Sequence, residues 1–546
     1  MKVQKDLIYR YLLNGISVSP DASADDVLKR AAERMKRLGI PSSSLHFRLY
    51  KRSIDARKKW DIRLIWSVLV ESDSPFSEKI CKKAGLQRME EAAHSAPSGT
   101  DPMIAPPMVV GMGPAGMFAA LLLARNGYRP ILIDRGGSIE ERVNTVESFR
   151  RTGVLDTECN IQFGAGGAGT FSDGKLVTRI HDPRCRLVLE TFRSFGAPEE
   201  ILTLAKPHIG TDVLRGVVDS MLKEIQRLGG QVIYRCRLLD FEELPCGEIK
   251  AQTTAGDFRC GALILAIGHS ARDTYKTLIS KQFSVEAKPI SMGVRCEHLQ
   301  NDIDRALYGD FAGHPALGHA EYSLSDTRLE RGVYTFCMCP GGEVVAAASE
   351  QEGLVVNGMS DHARDGRNAN AAVLVSLGCE DYAPVNGNRA LGAIAFQQRI
   401  ERSAFRAGGS DYYAPVMTVG DFLSGNRGTE PGRVQPTYRD GKVRVADFQE
   451  IFPTFVTESL RYALASFGKK ISGYDADDAI LTAAETRTSA PVRILRNNET
   501  CAALGHPLIY PCGEGAGYAG GITSAATDGI RAAEALMKRF APFDKK

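Results

Sequence analysis

The segment MVVGMGPAGMFAALLLARNGYRPILIDRG, residues 108–136, constrains the fold more than any other stretch. Gly111, Gly113 and Gly116 stand in a Gly-x-Gly-x-x-Gly spacing. A short apolar strand leads into Gly111, and strong helix formers run from Pro114 and Ala115 to about Asn126. A second apolar strand, Pro130–Ile133, ends in Asp134 and Arg135, with Asp134 standing 23 residues after Gly111. Strand, glycine turn, helix and second strand ending in an acid predict a parallel β-α-β unit that binds a dinucleotide. Gly111 permits the tight turn, Gly113 lets a pyrophosphate approach the backbone, and Gly116 lets the helix pack close to the strand. The helix start offers unpaired N–H groups to phosphate oxygens. Asp134 can accept hydrogen bonds from the two hydroxyls of an adenosine ribose.

The opposite end of the chain selects the dinucleotide. Residues 510–536 read YPCGEGAGYAGGITSAATDGIRAAEAL. An apolar strand, Pro507–Tyr510, leads to Gly513-Glu514-Gly515, then a glycine loop, then a helix predicted from about Ser524 to Phe540. This segment resembles the second flavin motif of the two-dinucleotide-binding, glutathione-reductase-like flavoproteins. That group usually carries Asp where this chain has Glu514, and Glu is a known variant. Reduced flavin bears negative charge near N1 and the C2 carbonyl, and N–H groups around Gly521, Ile522 and Thr523 at a helix start suit it. Paired with the early glycine turn, the segment points to FAD.

Two middle segments support the same reading. Residues 262–273, ALILAIGHSARD, form a buried strand leading through Ala266 to Gly268, similar to the Ala-Thr-Gly motif of the same flavoproteins with Ile267 in place of Thr. Ahead of it, an amphipathic helix (210–230), a strand (231–239) and a hairpin through Gly256 complete the first half of an FAD-binding domain. Residues 160–176, NIQFGAGGAGTFSDGKL, hold five glycines. Such a loop brings backbone amides close to a bound ring or phosphate. Gly166, Gly167, Thr170 and Lys175 are its candidate contacts. Ser172 and Asp173 add further polar heads, and Ile161, Phe163, Phe171 and Leu176 anchor it.

The formal charge of +3 over 546 residues indicates no dominant nucleic-acid or membrane field, although a local basic patch fits within it. Hydrophobic residues at 43% and charged residues at 24% exclude disorder, collagen and coiled coil as the main state. Twelve cysteines without paired spacing, and no apolar leader, lead us to expect a cytoplasmic enzyme. Met108–Ala124 is apolar, but its glycines read as strand, turn and buried helix rather than a membrane span.

The first 75 residues read as a small α+β unit. Residues 3–9 are a weak strand candidate. Ser23 and Asp26 have capping-box spacing for a helix to about Leu38, with Val27, Ala31, Met35 and Leu38 inward and Gly39 as its stop. Strands follow near Leu45–Lys51 and Asp61–Glu71, and the second alternates Ile62, Leu64, Trp66, Val68 and Val70. Between them runs the basic turn KRSIDARKK (51–59). Residues 94–107 are rich in proline and serine and read as a linker. From about 290 to 495 the pattern turns mixed and short-period.

The strings KRSIDARKK (51–59), 109–136, IQFGAGGAGTFSDGKL (161–176), LAIGHSARDTY (265–275), FCMCPGG (336–342), NGMS (357–360) and PCGEGAGYAGGITSAATDGI (511–530) together resemble a family of bacterial and plastid proteins called uncharacterised FAD-dependent dehydrogenases. The resemblance runs from the N-terminal unit to the last helix. It implies an α/β chain with a Rossmann-like FAD/NAD(P)-binding domain, an inserted α+β substrate domain and an N-terminal ferredoxin-like α+β domain. The corresponding boundaries are 1–75 for the ferredoxin-like unit, 76–107 for the linker, 108–289 and 496–546 for the two parts of the FAD-binding domain, and 290–495 for the substrate domain. It supplies no substrate.

The expected activity is hydride transfer through flavin N5 to or from a small organic substrate, with NADH or NADPH as a transient donor. Alternatives are a flavoprotein acting on RNA and a non-enzymatic FAD-binding interaction protein. Cys337 and Cys339, at i and i+2 of a strand, share a face at a spacing poor for a disulfide. Cys512 abuts the second flavin motif and reads as packing. Arg272 suits either a phosphate or carboxylate ligand or a surface ion pair, and His269 precedes it. Asn357, Ser360, Arg364 and Asn370 form a polar group suited to a substrate pocket or a turn. His298, His314, His319 and His362 lack metal-ligand spacing, so no zinc site is expected. The basic turn with Trp60 and Trp66 suits RNA, a solvated face, or docking on another domain or chain.

Overall fold

The computed structural model describes residues 8–89 and 97–543. The described chain divides into two compact units. The first gathers the N-terminal residues together with 198–207 and 304–320; the second holds the rest.

In the first unit the order is β1 (Tyr9–Val18), α1 (Ala24–Lys36), β2 (Leu45–Asp55), β3 (Arg63–Ser72), α2 (Glu78–Ala84) and β4 (Leu86–Arg88). The sheet order β2-β3-β1-β4 makes a split β-α-β unit, with β1 between β3 and β4. Most of the strand candidate at 3–9 lies outside the described residues; β1 begins at Tyr9 and runs on to Val18. α1 starts as its capping residues dictate. The Ser23 hydroxyl accepts the Asp26 N–H at 3.2 Å, and the Asp26 carboxylate accepts the Ser23 N–H at 3.0 Å. Val27, Ala31 and Met35 are buried beneath it. The helix ends at Lys36, two residues before Leu38. The basic turn is shorter than its sequence suggests, because β2 continues through Lys51 and Arg52 to Asp55.

The second unit is built on a five-stranded parallel sheet. Its order is Ile509–Pro511, Leu263–Leu265, Met108–Val110, Ile131–Ile133, Gln231–Ile233. All four pairings are parallel. The outer strand thus comes from about 400 residues beyond the central one. Its three residues are buried on both faces, as a parallel sheet covered by helices requires. An antiparallel three-stranded sheet spans 238–260, and a seven-stranded mixed sheet spans 290–485. Within the expected linker 76–107, α2 and β4 belong to the first unit's fold, and residues 99–101 are hydrogen-bonded. The Gly99 N–H donates to the Met537 carbonyl and the Asp101 N–H to the Arg539 carbonyl, so residues 99–101 run along the end of the last helix.

Two helices cross beside the first strand, Pro114–Arg125 and Ile522–Arg539. Glycine makes the crossing possible. A Cβ at Gly529 would stand 2.0 Å from the Ala115 carbonyl oxygen, and one at Gly116 would stand 1.8 Å from the Gly111 carbonyl oxygen. No side-chain rotation relieves a clash with backbone. Gly116→Ala is therefore expected to lower stability by about 3 kcal/mol, read as a fall in the thermal midpoint of the second unit.

Candidate functional site: a pocket at the strand ends

One pocket at the C-terminal edge of the parallel sheet takes residues from both ends of the second unit. Gly111, Gly113, Pro114, Ala115 and Asp134 form its early wall. Gly111 has φ +105, and a Cβ there would lie 2.2 Å from the Ala266 carbonyl oxygen. Gly113 is the N-cap of its helix with no side-chain cap, so the first helical N–H groups lack a capping acceptor. A Cβ on Gly113 would meet only the Gly167 Cα, at 3.8 Å. The protein itself therefore leaves room for a side chain there.

Asp134 is placed differently from its simplest sequence expectation. Its two carboxylate oxygens each accept a backbone N–H, from Met112 and Gly136, both at 2.8 Å. The carboxylate clasps the glycine turn and still lines the pocket. Beside it Arg135 pairs with Asp273 and lies over the Phe163 ring at 4.4 Å. Arg135 lines a smaller neighbouring cavity with Cys236, Arg237 and Leu238, none of which the sequence motifs marked.

The late wall is Glu514, Gly520, Gly521, Ile522 and Ala525. Gly521 caps the last helix without a side-chain bond, and Cβ atoms at Gly520 and Gly521 would meet open space. That helix starts at Ile522, two residues earlier than the sequence suggests. Gly513 and Gly515 support the wall from behind. A Cβ at Gly513 would lie 2.7 Å from the Ala115 Cβ, and one at Gly515 would lie 2.6 Å from the Gly268 backbone. Asp528 holds this turn by accepting the Gly513 N–H at 2.8 Å and a bidentate pair from buried Arg496. The Tyr275 hydroxyl sits between Gly515 and Gly268, its single proton shared between their carbonyls at 2.8 and 3.1 Å.

Ala266, Ile267 and Gly268 line the pocket between these walls. The loop 160–176 contributes Gln162, Phe163, Gly167, Ala168, Gly169, Ser172, Asp173 and Lys175. Its anchors Ile161, Phe163, Phe171 and Leu176 are buried. Fully buried Arg142 fixes the loop by donating to the carbonyls of Asn160, Ala165 and Ile161. Burial pulls that guanidinium down to about 10. Gly166, Thr170 and Thr523 do not line the pocket. Gly166 packs against Thr170, and the Thr523 hydroxyl donates to the Leu176 carbonyl. Gly116 likewise acts only through packing.

The remaining wall comes from the mixed sheet and carries most of what the motifs missed: Phe336, Glu485, Arg487 and Thr488, with Cys337 and Asn357. Buried Arg295 organises it. Its guanidinium donates to Glu485 at 2.5 and 3.2 Å, to the Cys337 carbonyl at 2.9 Å and to Asn357 at 3.0 Å. It also meets Asn370 at 2.8 Å. Burial raises the Glu485 carboxyl against the pull of Arg295. The lone arginine in the buried strand ISMGVRCEHL was the available signal, since a buried cation needs partners.

The charges around the pocket are compensated in place. Lys175 pairs with Asp173 at 2.5 Å and with Glu321, and Asp173 also binds Arg364 and Ser360. Arg272 is buried, neither a surface ion pair nor free for a ligand. It donates in bidentate fashion to Glu401, which also takes Arg487. The two guanidinium groups hold the Glu401 carboxyl far below the usual range. His269 lines the pocket with Nδ1 2.8 Å from the Ser270 hydroxyl. Burial, with Arg487 and Arg272 nearby, pulls its imidazole down to about 3, so it is neutral near pH 7.

Cys337 and Cys339 are free thiols, and the strand is irregular between Phe336 and Cys339, with Cys337 at φ +45. The same-face expectation fails there. Cys337 lines the pocket, while buried Cys339 donates to the Cys337 carbonyl at 3.2 Å. Burial pushes the Cys339 thiol up to about 12 and raises Cys337 as well. Cys512 is buried. Among the described residues no cluster of His, Cys, Asp or Glu suits a metal ion, and no helix is long and apolar enough to cross a membrane.

Comparison with known proteins extends this picture. An uncharacterized protein of Clostridium beijerinckii is 45% identical over 536 residues, covering 97% of this chain and 98% of that one. This chain belongs to the same family. Residues 289–488 match the family described as FAD-dependent protein, C-terminal domain-like, and residues 12–71 match a Domain of unknown function (DUF8436). Among solved structures, CtdE in complex with FAD is 11% identical, covering 80% of this chain and 84% of its own, with a TM-score of 0.34. Glycine oxidase from Geobacillus kaustophilus is 10% identical, covering 81% and 97%, with a TM-score of 0.35. The halogenase PltM is 10% identical, covering 79% and 69%, with a TM-score of 0.37.

Glu514 yields a pH prediction. Its carboxyl lines the pocket with no hydrogen-bond partner among the described residues, and burial pushes it up to about 7. The folded chain therefore holds this proton more tightly than the unfolded chain. Its contribution to stability is full below the usual glutamate range and declines as pH rises from about 4.5 to 7. In ligand-free protein, Glu514→Gln is expected to leave the thermal midpoint unchanged at pH 4 and to raise it at pH 8. An equal effect at both values contradicts this account.

Proposed function

We propose that this chain is an FAD-dependent oxidoreductase acting on a small organic molecule. The observation that carries the reading is the meeting of the two glycine turns, 111–116 and 513–521, in one pocket. The residues fit the cofactor. Two uncapped helix starts face it, the Cβ directions of Gly113, Gly520 and Gly521 are open, and a protonatable carboxyl at Glu514 lacks a protein partner among the described residues. FAD and the family description of residues 289–488 agree. In this reading the N-terminal unit is ferredoxin-like and the mixed sheet carries the substrate wall.

The N–H groups at the start of helix 114–125 would bind the pyrophosphate, and Asp134 with Arg135 would hold the adenosine end. Glu514 takes a sugar-chain hydroxyl. The helix start at Gly521 and Ile522 would offer positive potential to a reduced, negatively charged flavin. Bound flavin supplies hydride transfer at N5. The protein's part in that chemistry falls to the wall held by Arg295. Phe336 and Phe163 exclude water, Asn357 and Thr488 orient a polar substrate, and Glu485, raised by burial, holds or releases a proton. Neutral His269 donates or accepts a hydrogen bond without adding charge.

Purified protein is expected to be yellow. Gly113→Val is expected to remain folded, because the protein leaves room there, yet to lose its visible flavin absorbance. Under anaerobic conditions NADH or NADPH is expected to bleach the flavin. A yellow protein bleached by neither nucleotide and by no organic reductant identifies a binding protein rather than an enzyme. A Gly113→Val variant with full flavin content removes the assignment of the phosphates.

A further inference from the structure

The hairpin β2–β3 of the first unit concentrates the chain's positive charge. Residues 48–63 contain seven Lys or Arg and two Asp, net +5, while the whole chain is +3, so all other residues together are −2. Two of these cations are neutralised locally, Arg57 by Asp55 at 2.5 Å and Arg63 by Asp61 at 2.7 Å. Arg48 shares Glu71 with Arg10. Lys51, Arg52, Lys58 and Lys59 have no ion-pair partner among the described residues.

Within this field stands Trp60, 80% exposed. It is the most exposed large apolar side chain among the described residues. The second tryptophan of the chain, Trp66, is half-buried on β3, with the Arg52 guanidinium 5.9 Å from its ring. Lys51 and Arg52 lie only ~10–13 Å below the end of β2 at the rise of a strand. The hairpin is also held in place. The Arg52 N–H donates to the Thr203 carbonyl at 2.7 Å, and the Ala205 N–H donates back to the Arg52 carbonyl at 2.8 Å.

We propose that this hairpin binds single-stranded nucleic acid, with Trp60 stacking on a base and Lys51, Arg52, Lys58 and Lys59 contacting phosphates. An exposed ring amid unpaired cations matches the stacking and phosphate chemistry of single strands. An anionic membrane surface shares the charge requirement. It is better served by an amphipathic helix or several inserted apolar groups than by one indole on a strand turn. A folded duplex offers no free base to stack on. The proposal is independent of the flavin reading.

The test uses the full chain and a fluorescein-labelled oligouridylate of about twelve nucleotides, a length within the site sizes of single-strand binding modules, followed by anisotropy across a potassium chloride series. Four phosphate contacts give a slope of log K against log salt of about −3. Trp60→Ala is expected to weaken binding about ten-fold with the slope unchanged. Lys58→Ala/Lys59→Ala is expected to reduce the slope by about 1.4. Both variants alter exposed positions, and an unchanged thermal midpoint and flavin content verify that they fold. Competing deoxyribonucleotide single strand distinguishes RNA from DNA preference. The proposal is overturned by absence of binding at low salt, by equal affinity for a duplex, by Trp60→Ala binding as wild type, or by dextran sulfate displacing the strand at equal charge concentration. It is also overturned if phosphatidylserine vesicles bind the chain while the oligonucleotide does not.

Discussion

The second unit depends on one strand with two neighbours. Leu263–Leu265 pairs on one side with Met108–Val110 and on the other with Ile509–Pro511. Without it the two glycine turns have no common frame. With it, the strands that lead into Gly111 and Gly513 flank it in parallel and end at the same edge, and their helices must cross there. The close backbone contact at Gly529 then fixes the crossing, and the one at Gly116 seats the first helix on its own turn. Ligand sites of open parallel sheets lie beyond the carboxyl ends of the strands, and the pocket obeys that rule.

Around this frame the protein places buried charge with care. Arg295–Glu485, Arg272–Glu401–Arg487 and Arg496–Asp528 are all buried and hydrogen-bonded on several sides. Breaking such a pair costs about 3–5 kcal/mol, because the surviving charge has no solvent. Their net gain over apolar packing is small, so their use is geometric. Arg295 aligns Cys337, Asn357 and Glu485, which come from three separate strands. Asp528 fixes the turn that carries Glu514. Acid protonation is opposed at Glu401, where the two guanidinium groups outweigh burial.

Local chemistry explains which parts of this arrangement were legible in the sequence. Gly111, Gly113, Asp134, Gly268 and Glu514 sit where strand and turn patterns place them. Those patterns require only neighbours in the chain. Ser23 and Asp26 cap their helix for the same reason. The wall was hidden because Phe336 meets the segment Glu485–Thr488 only through the long-range register of a seven-stranded sheet. Asp134 was half legible. Its acid nature marked the turn, but its bonds to Met112 and Gly136 depend on the path of the backbone. Gly166 and Thr170 belong to a loop whose glycine and hydroxyl content suits a ligand, yet the loop turns them inward against each other. Cys337 and Cys339 escaped the period-two rule because the strand is irregular between them.

The outermost strand of the parallel sheet has a consequence for biosynthesis. Translation proceeds at roughly 5–20 residues per second, so the interval between the two glycine turns, about 400 residues, lasts roughly 20–80 s. Throughout that interval the helix Pro114–Arg125 lacks the helix that covers it, and for its last 245 or so residues the strand Leu263–Leu265 has one filled edge and one bare edge. A nascent chain therefore carries an unpaired, apolar sheet margin until Ile509–Pro511 has left the ribosome. The cavity closes only after both glycine turns have been made, and the window before that is when chaperones have the most to protect.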